Sequence, residues 1–378
     1  MPETLPPPVW VNTTQLLRRT LDDLASQSRL AVDTESNSLH AFREQVCLLQ
    51  ISSASADYLI DPLSLQDLSA LAPLFSNPKI EKIFHAAEYD LVCLRRDFGF
   101  SFANLFDTMH AARVLGYPAV GLDSLLKEKF QIQTDKRHQK ANWAKRPLTT
   151  EQIHYARLDT HYLFDLRDAL EKELREKKRL DFAKEDFNRA CFFDEQKLKS
   201  NGASWERFAN RKDLSNRDLT ILAALCQWRD AEAEKLNRPV YKVVMDETLV
   251  AMSKNPPEHK VDLSALGMSE RQIQLWGDSV LAAVRRGENA PPVKRKQAES
   301  PSDAYLRRME KLKLWRKKVG IETGVESDVI LPKAYILAIA QNPPKNLDDL
   351  ALLMKETPSR VEKYGLQILK VLGVKNAN

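Results

Sequence analysis

The second half of the chain repeats itself, and the repetition limits what it can fold into. The segment CQWRDAEAEKLNRPVYKVVMDETLVAMSKNPPEHKVDL aligns with LKLWRKKVGIETGVESDVILPKAYILAIAQNPPKNLDDL. The Trp-Arg pairs at Trp228 and Trp315, and the Asn-Pro-Pro triplets beginning at Asn255 and Asn342, share one offset of 87 residues. Apolar positions such as Leu249 and Ile336 keep the same register. Two landmarks and an apolar pattern in one frame indicate a duplicated domain. Both copies read as helix throughout, so this half is two small all-α domains, over residues 210–290 and 303–375. Residues 291–302 fall within RRGENAPPVKRKQAESPSDA, which is polar, contains proline and lacks periodicity, as a linker does. Trp228 and Trp315 occupy equivalent helical positions, which points to core packing more than to base stacking.

The first half alternates between the two periods. LAVDTES, EQVCLLQIS and DYLID are short β-rich runs with short connections, as in a meander. QDLSALAPLF has helical spacing, KIEKIFH returns to strand, and AAEYDLVCLRRDF places Leu91, Leu94 and Phe98 on one helical face. A single long helix is expected from about Thr149 to Lys178, opened by a capping box of Thr149 and Gln152. Strands first, with helices between and after them, make residues 9–195 a mixed α/β sheet domain.

Composition excludes some classes. With 43% hydrophobic and 29% charged residues the chain is ordinary globular protein. No run approaches the roughly 18 apolar residues that cross a bilayer, and the MPETLPPPVW start has neither a basic nor an apolar leader region. A cytoplasmic protein without membrane attachment is expected. Cys47, Cys93, Cys191 and Cys226 lie far apart in apolar patterns, as reduced core residues do. The net charge of +5 permits a polyanionic partner.

The chemistry lies in four acids and a phenol. Asp33 and Glu35 are two apart at the end of a strand, so they share a face and repel each other. Asp90 stands near the start of a helix, and Tyr155 and Asp159 lie one helical turn apart. Each alone has an ordinary explanation as a capping, solvated or packing residue. Together they form an all-oxygen set of the kind that holds hard ions such as Mg²⁺ and Mn²⁺. Two such ions can stabilise both the attacking and the leaving oxygen of a phosphodiester displacement.

In their order, VDTES, HAAEYDL and HYARLDT resemble the three motifs of the ribonuclease D family of 3′–5′ exonucleases, within the group named for four acidic residues. Trp143, Arg146, Pro147 and Leu148 are similar to that family's approach to its third motif. The repeated units resemble HRDC domains, small nucleic-acid-binding modules of ribonuclease D and RecQ-type helicases. The resemblance covers nearly the whole chain, from about Val9 to Gly373. It implies a ribonuclease-H-like mixed sheet followed by two HRDC-like domains. It also implies that Asp33, Glu35, Asp90 and Asp159 are ligands of two divalent ions, and that Tyr155 positions, and helps deprotonate, the attacking water. Tyrosine at that place marks the tyrosine branch of the group.

One position departs from the pattern: where much of the wider group has Asn or Gly, four before the second-motif Asp, this chain has Ala86. His85 has two readings, contact with the terminal nucleotide or packing. Leu39 either wedges under the last base or packs, and Arg146 is a further candidate substrate contact. Asp107 is expected to cap a helix. His138 and His161 belong to no zinc-binding spacing.

The resemblance implies a monomeric exoribonuclease that releases nucleoside 5′-monophosphates from RNA with a free 3′ end, tRNA precursors and other small stable RNAs among them. The alternatives are the same chemistry on DNA, or a catalytically silent nucleic-acid-binding adaptor. The complete set of four acids and a tyrosine argues against the adaptor. From Lys294 to Lys318 there are ten Lys/Arg against three Asp/Glu. Such a run either contacts phosphates or forms a solvated face.

Overall fold

A computed structural model describes residues 5–65, 67–192, 204–295 and 301–374. Residues 193–195 of the first domain, 296–300 of the linker and residue 375 lie outside the described residues. The chain divides into two compact units, one of Met1–Glu35, Val46–Phe193 and Ser300–Asn378, the other of Ser36–Gln45 and Asp194–Glu299.

The first unit is built on a six-stranded sheet: β1 (Val9–Val11), β2 (Arg29–Ser36), β3 (Val46–Ser52), β4 (Asp57–Ile60), β5 (Glu81–Phe84) and β6 (Leu105–Asp107), in the order β1-β4-β3-β2-β5-β6. β3 and β4 are antiparallel, with Leu49 opposite Ile60, whereas β1–β4, β2–β5 and β5–β6 are parallel. Every residue of β3 is buried, which is why VCLLQIS is almost continuously apolar rather than alternating. β1 and β6 are three-residue edge strands, too short for a period of two to show in the sequence.

The long helix expected from Thr149 is two helices, Thr150–His161 and Leu163–Glu176, with Tyr162 in a bridge conformation between them. Each buries its own stripe, Gln152, Ala156 and Thr160 in the first, Leu163, Leu166, Leu170 and Leu174 in the second. The break lets the first helix follow the sheet and the second turn toward its neighbours. The capping box is present, Gln152 N–H donating to Thr149 Oγ1 (3.2 Å) and Thr149 N–H to Gln152 Oε1 (3.0 Å).

The second helical copy belongs to this same unit. Its Leu312, Val319, Ile336 and Tyr364 continue one apolar core with Phe182 and Phe187 of the helix Leu180–Cys191. Arg360, fully buried, donates to Glu185 and Asp186 (2.7 Å each) and to the carbonyls of Phe182 and Val329. A Cβ at Gly116 would stand 2.1 Å from the carbonyl oxygen of Gly324, so only glycine permits the approach there.

The other unit holds the first helical copy. Its long helices Asn216–Lys235 and Glu270–Asn289 meet closely where Gly287 lies, since a Cβ there would be 2.6 Å from Ile221 Cα. All four cysteines are buried, and none forms a disulfide.

Candidate active site

β2 runs apolar through Leu30, Ala31 and Val32, all buried, and then alternates, so that Asp33 and Glu35 stand together on the less buried face while Thr34 is buried. The helix Thr150–His161 brings Asp159 to the same place. Asp33, Glu35 and Asp159 each offer an oxygen, all within 4.8 Å of one another. Tyr155 lies one turn before Asp159, close enough that each shifts the other's pKa. Asp90, in the first turn of the helix Glu88–Phe98, is buried beside this trio and accepts a hydrogen bond from the Thr34 hydroxyl.

The electrostatics are those of a site built for a cation. Burial pushes the Asp33 carboxyl up to about 7, against a smaller opposing effect of its backbone hydrogen bond. Burial likewise raises Glu35, Asp90 and Asp159 well above the ordinary carboxylate range, and repulsion among the four adds to it in each case. Among the described residues, no Lys or Arg stands among the main charges that act on them. Clustered carboxylates without a basic partner, offering only oxygen, fit Mg²⁺ or Mn²⁺ rather than a softer metal.

Several supporting residues escaped the sequence reading. Gln50, the one amide in the apolar β3, is fully buried and donates to Asp33 Oδ2 at 3.3 Å. Its isolation in VCLLQIS was the available signal. Asp57, on β4, gathers Arg157 Nε (2.6 Å), His161 Nδ1 (2.9 Å) and the Ser52 hydroxyl (2.6 Å), and so pins the helix that carries Tyr155 and Asp159. Desolvation opposes its ionisation, but hydrogen bonds from His161, Ser52 and Arg157 hold its carboxyl below the ordinary value. Nothing in the sequence linked Asp57 to that helix, because the contact spans 100 residues.

Ala86 shows why Asn or Gly is the usual residue at its position: its φ is +64°, in the left-handed region. Holding alanine there costs about 1 kcal/mol. Asp107 supports the turn, accepting from the N–H groups of Ala86 (3.2 Å) and Ala87 (2.8 Å) and, as the helix cap, from His110 N–H (3.0 Å). The His85 ring is within hydrogen-bond distance of the Thr108 hydroxyl (Nδ1 to Oγ1, 2.9 Å), and burial lowers its pKa.

Arg146 is engaged within the protein. Its guanidinium donates twice to Asp61 and to the carbonyls of Cys47, Trp143 and Lys145, which uses all five of its N–H groups. It ties the run before the third motif to the sheet and has no donor left for a phosphate. Leu39 is 41% exposed and lies in the loop Ser36–Gln45. Beside the acids, Tyr155 and Asp159 form one wall of a cleft of about 340 Å³ whose other lining includes Arg137, His138 and His154. The two histidines carry no metal-binding spacing, so only the fold could place them here. A larger cleft of about 570 Å³, between the helix Leu180–Cys191 and residues 355–359, contains none of the four acids.

Sheet, acid cluster and duplicated helical domains together define a nuclease joined to nucleic-acid-binding modules, and comparison with known proteins agrees. A family described as 3′–5′ exonuclease matches residues 8–175, and the HRDC domain matches residues 218–284 and again 306–372. The chain belongs to the ribonuclease D-like 3′–5′ exonucleases with tandem HRDC domains.

It is 30% identical over 323 residues to the exosome complex exonuclease RRP6 of Saccharomyces cerevisiae, covering 79% of this chain and 44% of that one. It is 33% identical over 274 residues to protein RRP6-like 3 of Arabidopsis thaliana, covering 66% and 31%. The chain thus spans less than half the length of these curated relatives. The crystal structure of Escherichia coli RNase D, an exoribonuclease involved in structured RNA processing, superposes with a TM-score of 0.70 at 24% identity over 94% of this chain and 99% of that one, which establishes the shared fold. No helix among the described residues is long and apolar enough to cross a membrane.

Proposed function

We propose that the protein is a divalent-metal-dependent 3′–5′ exoribonuclease that releases nucleoside 5′-monophosphates one at a time from RNA 3′ ends. The observation that carries this reading is the trio of Asp33, Glu35 and Asp159 oxygens within 4.8 Å, with no Lys or Arg of the described residues among the main charges that act on them.

Asp33, Glu35, Asp90 and Asp159 would hold two ions, Mg²⁺ or Mn²⁺. When bound, the ions supply the Lewis-acid charge that stabilises both exchanging oxygens of an in-line displacement. Gln50 keeps Asp33 turned toward the cluster, and Asp57 keeps Asp159 there by fixing its helix. Burial, then the charges of Asp159, Glu35 and Asp33, raise the Tyr155 phenol above its ordinary value. With the ions bound, Tyr155 would position, and help deprotonate, the attacking water, as the resemblance implies.

RNA precursors with a 3′ trailer, tRNA among them, are the proposed substrates, and a cytoplasmic monomer the proposed form. The support is the tandem of HRDC domains and the basic run from Lys294 to Lys318, of which Lys311, Lys313, Lys317 and Lys318 are exposed.

A 5′-labelled tRNA precursor with a short 3′ trailer, and a DNA oligomer of matched length, are incubated with Mg²⁺ or Mn²⁺ and with protein or its Asp33→Ala variant. Shortening of the RNA from its 3′ end, faster than that of DNA and absent in the variant, is expected. RNA bound but left at full length by the wild-type protein would favour a silent adaptor.

A further inference from the structure

Residues 36–45 leave β2 directly after Glu35 and return at the start of β3. Asn37 closes the neck of this loop: its N–H donates to the Gln45 carbonyl (3.3 Å) and its Oδ1 accepts from Gln45 N–H (2.8 Å). Beyond the neck the loop is ordered by the first HRDC domain. Phe42 packs against that domain's apolar core, and its N–H donates to Asn237 Oδ1 at 3.2 Å. Arg43 pairs with Glu234, and the Tyr241 hydroxyl donates to the Leu39 carbonyl at 3.1 Å.

Tyr241 is an unusual place for an aromatic ring. It is 44% exposed and lies outside the domain's apolar core, which its neighbours Val240, Val243 and Val244 serve instead. Its hydroxyl is committed to Leu39, which fixes the ring, while Lys242 Nζ lies 5.9 Å from the ring centroid. Lys235 and Arg238, in the same segment, are exposed. In the second HRDC domain the register places Asp328 and Val329 where the first has Tyr241 and Lys242, and Asp328 pairs with Arg113. The exposed aromatic and cation thus belong to the first copy alone.

A fixed, exposed ring flanked by cations is what binding of a single strand without regard to sequence requires, because every base offers a face to stack. Leu39 follows Glu35 by four residues, so the backbone alone keeps their Cα atoms within about 14 Å. We propose that Tyr241, with Lys242 and Leu39, forms a stacking platform for a base of single-stranded RNA a few nucleotides upstream of the 3′ end. The direction of the strand rests on the exonuclease reading; the platform itself does not.

The test uses RNA oligomers carrying 2-aminopurine at successive positions from the 3′ end, bound in EDTA so that nothing is cut. The wild-type protein should quench one internal position. Tyr241→Ala should abolish that quench and weaken binding about tenfold, the effect of losing one stacked base. Tyr241→Phe, which keeps the face and loses the tether, should retain most of the quench, and Lys242→Ala should weaken binding severalfold. Unchanged thermal unfolding of each variant establishes that the domain still folds. Tyr241→Ala with wild-type affinity and quench profile would overturn the platform.

Shortening of the RNA in Mg²⁺ is scored separately. Absence of shortening with the Tyr241-dependent quench intact removes the exonuclease reading and leaves the platform standing. Shortening with no effect of Tyr241→Ala on binding removes the platform alone.

Discussion

The two HRDC domains begin from one pattern and are used differently. In both, the arginine of the Trp-Arg pair reaches back across the domain to a carbonyl in the same register: Arg229 to Val244 (2.9 Å) and Arg316 to Leu331 (2.7 Å). Both tryptophans stand edge-on to another aromatic ring, Trp228 to Trp276 and Trp315 to Tyr364. The differences lie on the outside. Where the second copy has Arg360, buried against Glu185 and Asp186, the first copy has Gln272, at the same place three residues after its helix cap. The second copy is thus built into the exonuclease core, whereas the first forms a separate unit with the loop after Glu35. A duplication can keep its internal tether and change function through the few side chains that face outward.

The comparison breaks most visibly if the second copy is removed. Deleting residues 301–378 would expose the apolar face of Phe182 and Phe187 that it now covers, and loss of soluble, cooperatively melting exonuclease is expected. Equal loss of activity on long and short RNA in such a truncation would therefore report misfolding rather than the absence of an RNA-binding role. A retained sharp unfolding transition would show that the second copy is dispensable to the core. The single change Arg360→Ala leaves the buried Glu185 without its cation, at about 3–5 kcal/mol. Gln272→Ala in the first copy should cost about 1 kcal/mol, since it gives up an uncharged hydrogen bond to the Val243 carbonyl. Urea unfolding of the two variants measures the contrast.

Acidity separates the two units next. An acid whose folded pKa is raised keeps a proton that the unfolded chain has already lost, so stability falls as pH rises between the two values. For Asp33 that window runs from 3.8 to about 7. In EDTA, the unfolding transition of the exonuclease unit should fall across it by an amount on the order of 4 kcal/mol from this group alone. Asp33→Asn should recover much of the loss and abolish cleavage. Added Mg²⁺ or Mn²⁺ should raise the same transition in the wild-type protein. The transition of the first HRDC unit, which holds none of the four acids, should stay still in both experiments. A metal-insensitive exonuclease transition would contradict the assignment of these carboxylates as ligands.

Much of this was legible beforehand because it is local. The D-x-E pair sits at the end of a recognisable strand, Tyr155 and Asp159 share a helical face, and the duplication is an alignment of the chain with itself. What escaped reading depends on distant contacts or on very short elements. β1 and β6 have three residues each, too few to show a period. Asp57 meets Arg157 across 100 residues, and Arg360 meets Glu185 across 175. The break at Tyr162 follows from which stripe each helix buries, a property of its neighbours rather than of its own sequence. Only the fold reveals that the five donors of Arg146 are engaged within the protein. Ala86 looked like a departure and is the same left-handed turn, made by a residue that enters it at some cost.

Smaller effects sharpen the likeness between the copies. Arg229→Lys displaces the one nitrogen, Nη1, that serves both Val244 and Asp246, and about 2 kcal/mol is expected, in the transition of the first HRDC unit only. Arg316→Lys gives up one carbonyl contact and should cost about 1 kcal/mol in the exonuclease transition. Equal shifts of both transitions by either variant, followed calorimetrically, would mean that the two units unfold as one.

The smallest effect is expected at the rim of the second copy. Arg113 of the exonuclease domain pairs with Glu326 at 2.7 Å and with Asp328, but those carboxylates are 66% and 42% exposed. Water screens such pairs, and Arg113→Ala should cost no more than about 1 kcal/mol. Arg360 makes pairs of the same length with its own side chain fully buried, and there the loss is several times larger. Two arginines at one interface, matched in distance and opposite in burial, therefore measure what holds the second copy in place. A large loss at Arg113, abolished by high salt, would mean that long-range charge attraction docks this domain, whereas the expected ranking assigns the docking to the shared apolar core and to the one cation sealed within it.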